Sequence, residues 1–359
     1  MEIADLPADV LAQLQRGCVI PAHLLALNAK RKLDQRRQRA LTRYYLDAGV
    51  GGLAVGVHST QFAIRELGLY EPVLKLAIET AQQWAPLGGK RPLVMVAGAA
   101  GKTVQACAEA RLARALGYHA VLLSLAALKG SSEDEIIAHC RAVAQVMPLI
   151  GFYLQPAVGG IELPARFWQR FAEIDNVVAI KMAPFNRYRT LDVMRGMVAA
   201  GAENRITLYT GNDDHIVLDL VTPFAIPRDD GLVTLRIRGG LLGHWSVWTR
   251  SAVALLERCH AAVAGDQIDN ALLALDAQVT DCNGAFFDVA NQFKGCIAGC
   301  HEVLRRQGLL EGIWCLDPDE RLSAGQAEEL DRVWRAYPAL NDDAFVAAHL
   351  ARWLESASS

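Results

Sequence analysis

Eight short apolar runs recur along the chain, each separated from the next by a stretch with helical periodicity. No other feature restricts the fold as strongly. The runs lie at 18–27 (CVIPAHLLAL), 51–57 (GGLAVGV), 92–99 (PLVMVAGA), 120–125 (AVLLSL), 149–156 (LIGFYLQP), 177–182 (VVAIKM), 206–211 (ITLYTG) and 239–247 (GGLLGHWSV). Near-continuous apolar runs, rather than alternation, are what strands buried on both faces require. The intervening segments read as amphipathic helices; one of them, KTVQACAEARLARALG, stops at Gly117, a residue suited to a helix C-terminus. Strand and helix in strict alternation call for parallel pairing with right-handed crossovers. An open doubly wound sheet and a closed (β/α)8 TIM barrel both satisfy that rule, and the count of eight favours the barrel.

One connection departs from the pattern. Residues 222–238 carry Pro223 and Pro227, which exclude a helix, and the turn signal RDDG, so an inserted loop or hairpin is expected there. Beyond Val247 the periodicity is helical to the end. The expected organisation is a barrel over 1–247 and a helical extension over 248–359 packed directly on it, since no low-complexity linker intervenes.

With 359 residues, 52% of them hydrophobic and 21% charged, the chain has ample material for a large core. A net charge of −3 offers no electrostatic footprint for nucleic acid or for an anionic membrane surface. The one basic run, KRKLDQRRQR at 30–39, is interrupted by Leu33 and Asp34 and is read as the solvated face of a helix. The N-terminus lacks the basic-then-apolar pattern of a signal peptide, and no apolar stretch reaches transmembrane length. Eight cysteines without regular spacing complete the expectation of a reduced, cytoplasmic protein.

Within this frame Lys181 stands out. It follows the run Val177–Val178–Ala179–Ile180 and precedes Met182, which places an ammonium at the end of a buried strand. A buried charge costs several kcal/mol unless it is paired or neutralised. Two accounts remain at this point: a structural ion pair, or a lysine whose lowered pKa lets it attack a carbonyl. In a barrel of this type the chemistry sits at the C-terminal ends of the strands. Tyr153 near the end of the fifth run and the segment GVHSTQF (56–62) after the second would meet Lys181 at one mouth. A nucleophile, a proton shuttle and donors for a carboxylate are the parts a Schiff-base enzyme needs.

Five segments together carry a family resemblance: YYLDAGVGGLAV, VAGAAGKT, FYLQPAVGG, NVVAIKM and YTGND. Over 19–247 the chain resembles the dihydrodipicolinate synthase and N-acetylneuraminate lyase superfamily of class I, Schiff-base-forming aldolases. The resemblance implies that Lys181 forms the Schiff base and that Tyr153 shuttles protons. It also implies pyruvate or a related 2-keto acid as substrate, no metal or organic cofactor, and a homo-oligomer, a dimer or tetramer. Several departures stand beside it. Where the family reads Gly-Thr-Thr-Gly-Glu, this chain has Val57, His58, Ser59, Thr60 and Gln61. His58 replaces a relay threonine and is expected to join the proton relay. Ser59 and Thr60 are expected to help hold the substrate carboxylate, and His244 at the eighth strand to touch substrate. Val158 stands where the synthase has an arginine for its second substrate's carboxylate, and SLAALKG lacks the relay tyrosine contributed by a neighbouring subunit.

The reading is therefore a lyase that cleaves or forms a carbon–carbon bond next to an imine, and not a true dihydrodipicolinate synthase. The alternatives are a dehydratase of 2-keto-3-deoxy sugar acids using the same lysine, and a non-catalytic barrel that retains it. Three further motifs are set aside. AGAAGKT has Val96 where a phosphate loop needs glycine. CIAGCH (296–301) shows no fourth ligand in register for zinc. In GNDDH (211–215), Asn212 or Asp213 is expected to cap the following helix.

Overall fold

The apolar runs form strands, with shorter limits than the runs themselves. The computed structural model describes residues 1–229, 231–265 and 267–355. Its strands are β1 (Val19–Pro21), β2 (Gly52–Val55), β3 (Val94–Ala99), β4 (Ala120–Leu123), β5 (Leu149–Leu154), β6 (Val177–Ala183), β7 (Thr207–Thr210), β8 (Phe224–Arg228), β9 (Gly231–Leu235) and β10 (Ile237–Leu242). All but β8 and β9 belong to one sheet in the order β1-β10-β7-β6-β5-β4-β3-β2, every neighbouring pair parallel. A parallel bridge between Ala22 and Ala54 joins its two ends, which closes the barrel. The segment between the seventh and eighth barrel strands is an antiparallel hairpin, β8 against β9, its turn signal falling partly outside the described residues.

The helices are α1 (Ala8–Arg16), α2 (Gln35–Ala48), α3 (Tyr70–Gln83), α4 (Thr103–Leu116), α5 (Glu133–Ala144), α6 (Ala165–Ala172), α7 (Arg187–Ala199) and α8 (Ile216–Val221), followed by α9 (Thr249–Ala264), α10 (Asn270–Phe286), α11 (Cys296–Arg306), α12 (Gln326–Ala336) and α13 (Asp343–Trp353). None of the described helices is long and apolar enough to cross a membrane. Gly117 ends α4 at φ 92°, a left-handed conformation that glycine adopts without a Cβ clash.

Side chains segregate into two layers because successive residues on a strand face opposite ways. Ile20, Ala54, Val96, Leu122, Ile150 and Phe152 fill the barrel interior. Leu53, Leu123, Leu149, Tyr153 and Met182 pack outward against the helices. Below the N-terminal ends of the strands, α1 plugs the barrel with Val10 and Leu14, and the Tyr209 hydroxyl donates to the Leu14 carbonyl at 2.8 Å.

The basic run at 30–39 is solvated only in part: Lys30, Lys32 and Arg36 are exposed, while some of its arginines are engaged by the rest of the chain. It leads into α2, capped by Asp34, and its side chains reach the C-terminal helices. Arg37 donates to the carbonyl of Gly308 at 2.7 Å, Arg36 to that of Leu354 at 2.8 Å, and Arg31 to that of Cys315. One turn further along, Arg43 holds the carbonyls of Trp353 and Glu355 at 2.6 and 2.7 Å. Guanidinium groups here satisfy carbonyls at or just beyond the ends of α11 and α13, and that of Cys315 between α11 and α12, so the arginine side of this segment is a docking face.

Candidate active site

Lys181 occupies the inward face of β6, in register with Phe152 on β5 and Tyr209 on β7. Its side chain is 8% exposed, and its Nζ lies 4.4 Å from the centre of the Phe152 ring. It forms no ion pair or hydrogen bond among the described residues. An ion-paired structural lysine would have a carboxylate against it; this one has an aromatic face. Burial pulls its pKa below the usual lysine range, with the Asp213 carboxylate at longer range opposing that fall. A lysine in this state is neutral often enough near neutral pH to be a nucleophile.

The space for its side chain is made by Gly211, directly after β7. A Cβ there would come within 2.5 Å of Lys181 Cε and 2.8 Å of Ala183 Cβ. Any larger residue would displace the nucleophile.

Lys181 projects into a cavity of about 70 Å3 at the C-terminal ends of the strands, walled also by His58, Ser59, Gln155, Val158 and Asp213. That volume holds several water-sized groups. A larger open groove of about 470 Å3 lies beside the other ends of β2 and β3, between Leu46, Arg91 and Arg250. It sits away from the strand C-termini where barrel chemistry is found.

Asp213 is the polar residue that the sequence reading missed. Neither it nor Asn212 caps α8: Asn212 accepts from the Phe185 amide at 3.1 Å, and Asp213 accepts from the His244 amide at 2.9 Å. The Asp213 side chain is 6% exposed, and burial raises its pKa far above the usual carboxylate range, only partly offset by the His244 amide and Lys181. A carboxyl held near neutrality beside a buried amine is an acid–base candidate.

His58 stands in the short 3-10 turn His58–Thr60 after β2 and lines the cavity. Its ring meets Phe62 edge-on at 5.8 Å. Burial and then Lys181 push its pKa down to about 4, a direction that its partial exposure moderates but does not reverse. The imidazole is neutral near pH 7 and can accept a proton. Ser59 also lines the cavity.

Three expected site residues lie elsewhere. Tyr153 faces outward: β5 turns Ile150, Phe152 and Leu154 into the barrel, so the residue between the last two points at the helices. Its ring packs on Trp168 at 5.2 Å and its hydroxyl accepts from the Leu163 amide at 3.1 Å. It does not border the cavity, and the proton-shuttle assignment does not fit its position. Thr60 is fully buried; its hydroxyl donates to the His23 carbonyl at 2.7 Å and accepts from the Gly56 amide at 3.0 Å, tying the loop to the end of β1 rather than meeting substrate. His244 does not border the cavity; its ring lies 5.2 Å from Phe286 and its Nδ1 3.4 Å from the Asn283 side chain. Burial pushes its pKa down to about 3, and only its backbone amide serves the site, through Asp213.

The C-terminal helices complete the cavity. Phe287, Phe293 and Cys296 close its mouth from outside the barrel. The connection from α10 to α11 is strained: Asp288, Gln292 and Phe293 hold φ values of 56°, 59° and 65°. A left-handed backbone at non-glycine residues costs on the order of 1–3 kcal/mol each and persists only where the surroundings enforce it. The Asp288 carboxylate does so, accepting from the Gly295 amide at 2.9 Å, the Asn291 side chain at 2.7 Å and the Ser323 hydroxyl. Phe185, on the loop after β6, has φ 50° and meets Phe293 edge-on at 6.0 Å.

A closed parallel barrel with an unpaired, buried lysine at its C-terminal mouth defines a class of barrel with an amine nucleophile. Comparison with known proteins narrows that class. The model of the dihydrodipicolinate synthetase family matches residues 15–222, and the chain belongs to that family. The 4-hydroxy-tetrahydrodipicolinate synthase of Desulforudis audaxviator is 29% identical over 256 residues, covering 69% of this chain and 80% of the relative. The N-acetylneuraminate lyase of Citrobacter koseri is 26% identical over 207 residues, 57% of this chain and 65% of the relative. Among solved structures, dihydrodipicolinate synthase from Aquifex aeolicus superposes with a TM-score of 0.71 at 16% identity, covering 90% of this chain and 98% of that one. A prophage protein of the same family from E. coli K12, in complex with pyruvate, gives 0.69 at 16% identity, covering 90% and 97%. The enzymes this family comprises are lyases, and the chain is a Schiff-base aldolase-type lyase by membership.

Proposed function

We propose that the protein forms an imine between Lys181 and pyruvate or a related 2-keto acid, and makes or breaks a carbon–carbon bond at the carbon next to it. The observation that carries this reading is the buried, unpaired amine of Lys181 at the mouth of the barrel, over the Phe152 ring and inside a cavity. Neutral Nζ adds to the keto carbon. The carbinolamine then loses water, which requires a proton at the departing hydroxyl. Asp213, with its raised pKa, supplies it; His58, with its lowered pKa, accepts the proton from the adjacent carbon. Two groups pushed in opposite directions thus divide the work that the sequence had assigned to Tyr153 and His58. The Ser59 hydroxyl is the donor best placed for the carboxylate.

Val158 borders the cavity where a guanidinium would be needed for a second carboxylate, which speaks against dihydrodipicolinate synthesis. Eight free thiols agree with a reducing, cytoplasmic setting, and a homo-oligomer is the family expectation that goes with this reading. Sodium borohydride added with pyruvate should fix one equivalent of pyruvate to Lys181, read by peptide mass analysis. Lys181→Ala should lose both the label and turnover while remaining folded by circular dichroism. Label at Lys102 in place of Lys181 would sink the assignment.

A further inference from the structure

The cavity has two kinds of wall. The barrel supplies the charged groups together with Phe152 and Phe185, and the cap adds the rings of Phe287 and Phe293; Phe185 and Phe293 are held on a left-handed backbone. Phe293 and Phe185 both have positive φ, both border the cavity, and meet each other edge-on above it. Phe287 adds a third ring, and room for it is made by Gly243, where a Cβ would come within 2.7 Å of its Cζ. Two strained backbones and one gap left by a glycine bring three aromatic rings to the border of the same space, which points to what that space receives. A second observation concerns charge. No arginine borders the cavity among the described residues, and Val158 occupies its rim. Lys181 is consumed by the imine, and of the other ionisable groups on the wall Asp213 is an acid while burial favours the neutral forms of His58 and Cys296, so none is a resident cation. A partner bearing its own carboxylate would be desolvated there without a cation.

We infer that the second substrate is an uncharged aldehyde with a flat, aromatic substituent, held under Phe185, Phe287 and Phe293 against the Lys181-bound keto acid. The inference rests on the imine reading of Lys181. In the forward direction the imine loses a proton from the methyl carbon of pyruvate and becomes an enamine. That carbon forms a bond to the aldehyde carbon, the carbonyl electron pair moves to the aldehyde oxygen, and this oxygen takes a proton. Water then hydrolyses the imine, freeing Lys181 and a 4-hydroxy-2-oxo acid. Cleavage is the reverse.

The test supplies pyruvate with benzaldehyde, propanal or succinic semialdehyde and measures kcat/KM for each, alongside borohydride labelling by pyruvate alone. Benzaldehyde should exceed succinic semialdehyde by about a hundredfold. In Phe293→Ala the ratio of benzaldehyde to propanal should fall about tenfold, chiefly through KM, with Phe293→Leu intermediate as a control for folding. Equal or better use of succinic semialdehyde, or an unchanged ratio in both Phe293 variants, overturns the inference. Labelling of Lys181 without turnover of any of the three aldehydes overturns it while leaving the imine reading intact. Absence of labelling overturns both.

Discussion

The two ends of the barrel are closed in opposite ways. At the N-terminal end, a regular amphipathic helix lays Val10 and Leu14 onto the innermost residues, and Tyr209 spends its hydroxyl on a backbone carbonyl. No backbone strain marks α1 itself. At the C-terminal end, the closure is a loop with three left-handed residues, and beneath it lie an amine and a carboxyl whose pKa values are both displaced by burial. The first end is built as a protein interior normally is, with apolar groups packed and polar groups satisfied. The second violates those preferences within a few ångströms. Such violations persist where function requires them.

The contrast yields separable expectations. Leu14→Ala, at the plugged end, should cost about 2–5 kcal/mol of stability by leaving a cavity, read by denaturant unfolding, while pyruvate labelling of the folded enzyme at Lys181 continues. Loss of labelling in folded Leu14→Ala protein would show that the two ends are coupled. Asp213→Asn, at the capped end, should lower turnover about a hundredfold or more, the scale of general acid–base help. Its pH profile should move as well. The Asp213 carboxylate raises the pKa of Lys181, so its removal shifts the ascending, lysine-deprotonation limb to lower pH. A shift upward would refute the electrostatic pairing. The smallest effect belongs to Tyr153→Phe. With its hydroxyl bound to the Leu163 amide behind β5, its loss should change turnover less than about threefold and stability by about 1 kcal/mol. A large loss of turnover would restore Tyr153 to the site and break the account given of this end.

The alternation of strand and helix was legible because buried parallel strands and amphipathic helices have distinct periods. Lys181 was legible because an ammonium among apolar residues demands an explanation. Tyr153 was misplaced for a reason that single-sequence periodicity does not resolve. Phe152 and Tyr153 are adjacent, one of them must face outward, and the choice is fixed by the register of β5 on β6, which pairs Phe152 with Lys181. Asp213 was hidden by its neighbours: GNDDH resembles a helix start, yet α8 begins only at Ile216, and the intervening turn brings the carboxylate inward. The aromatic cap was illegible because Phe287 and Phe293 are far in sequence from the strands they cover.

The guanidinium groups of α2 carry a consequence for the order in which the enzyme becomes competent. Arg37 and Arg43 are made near the start of synthesis, and the carbonyls they bind belong to residues 308–355. Phe287, Phe293 and Cys296 likewise follow all eight barrel strands in the chain. The mouth of the barrel is therefore completed only by the last segments of the chain to be made, the same segments that the α2 guanidinium groups hold.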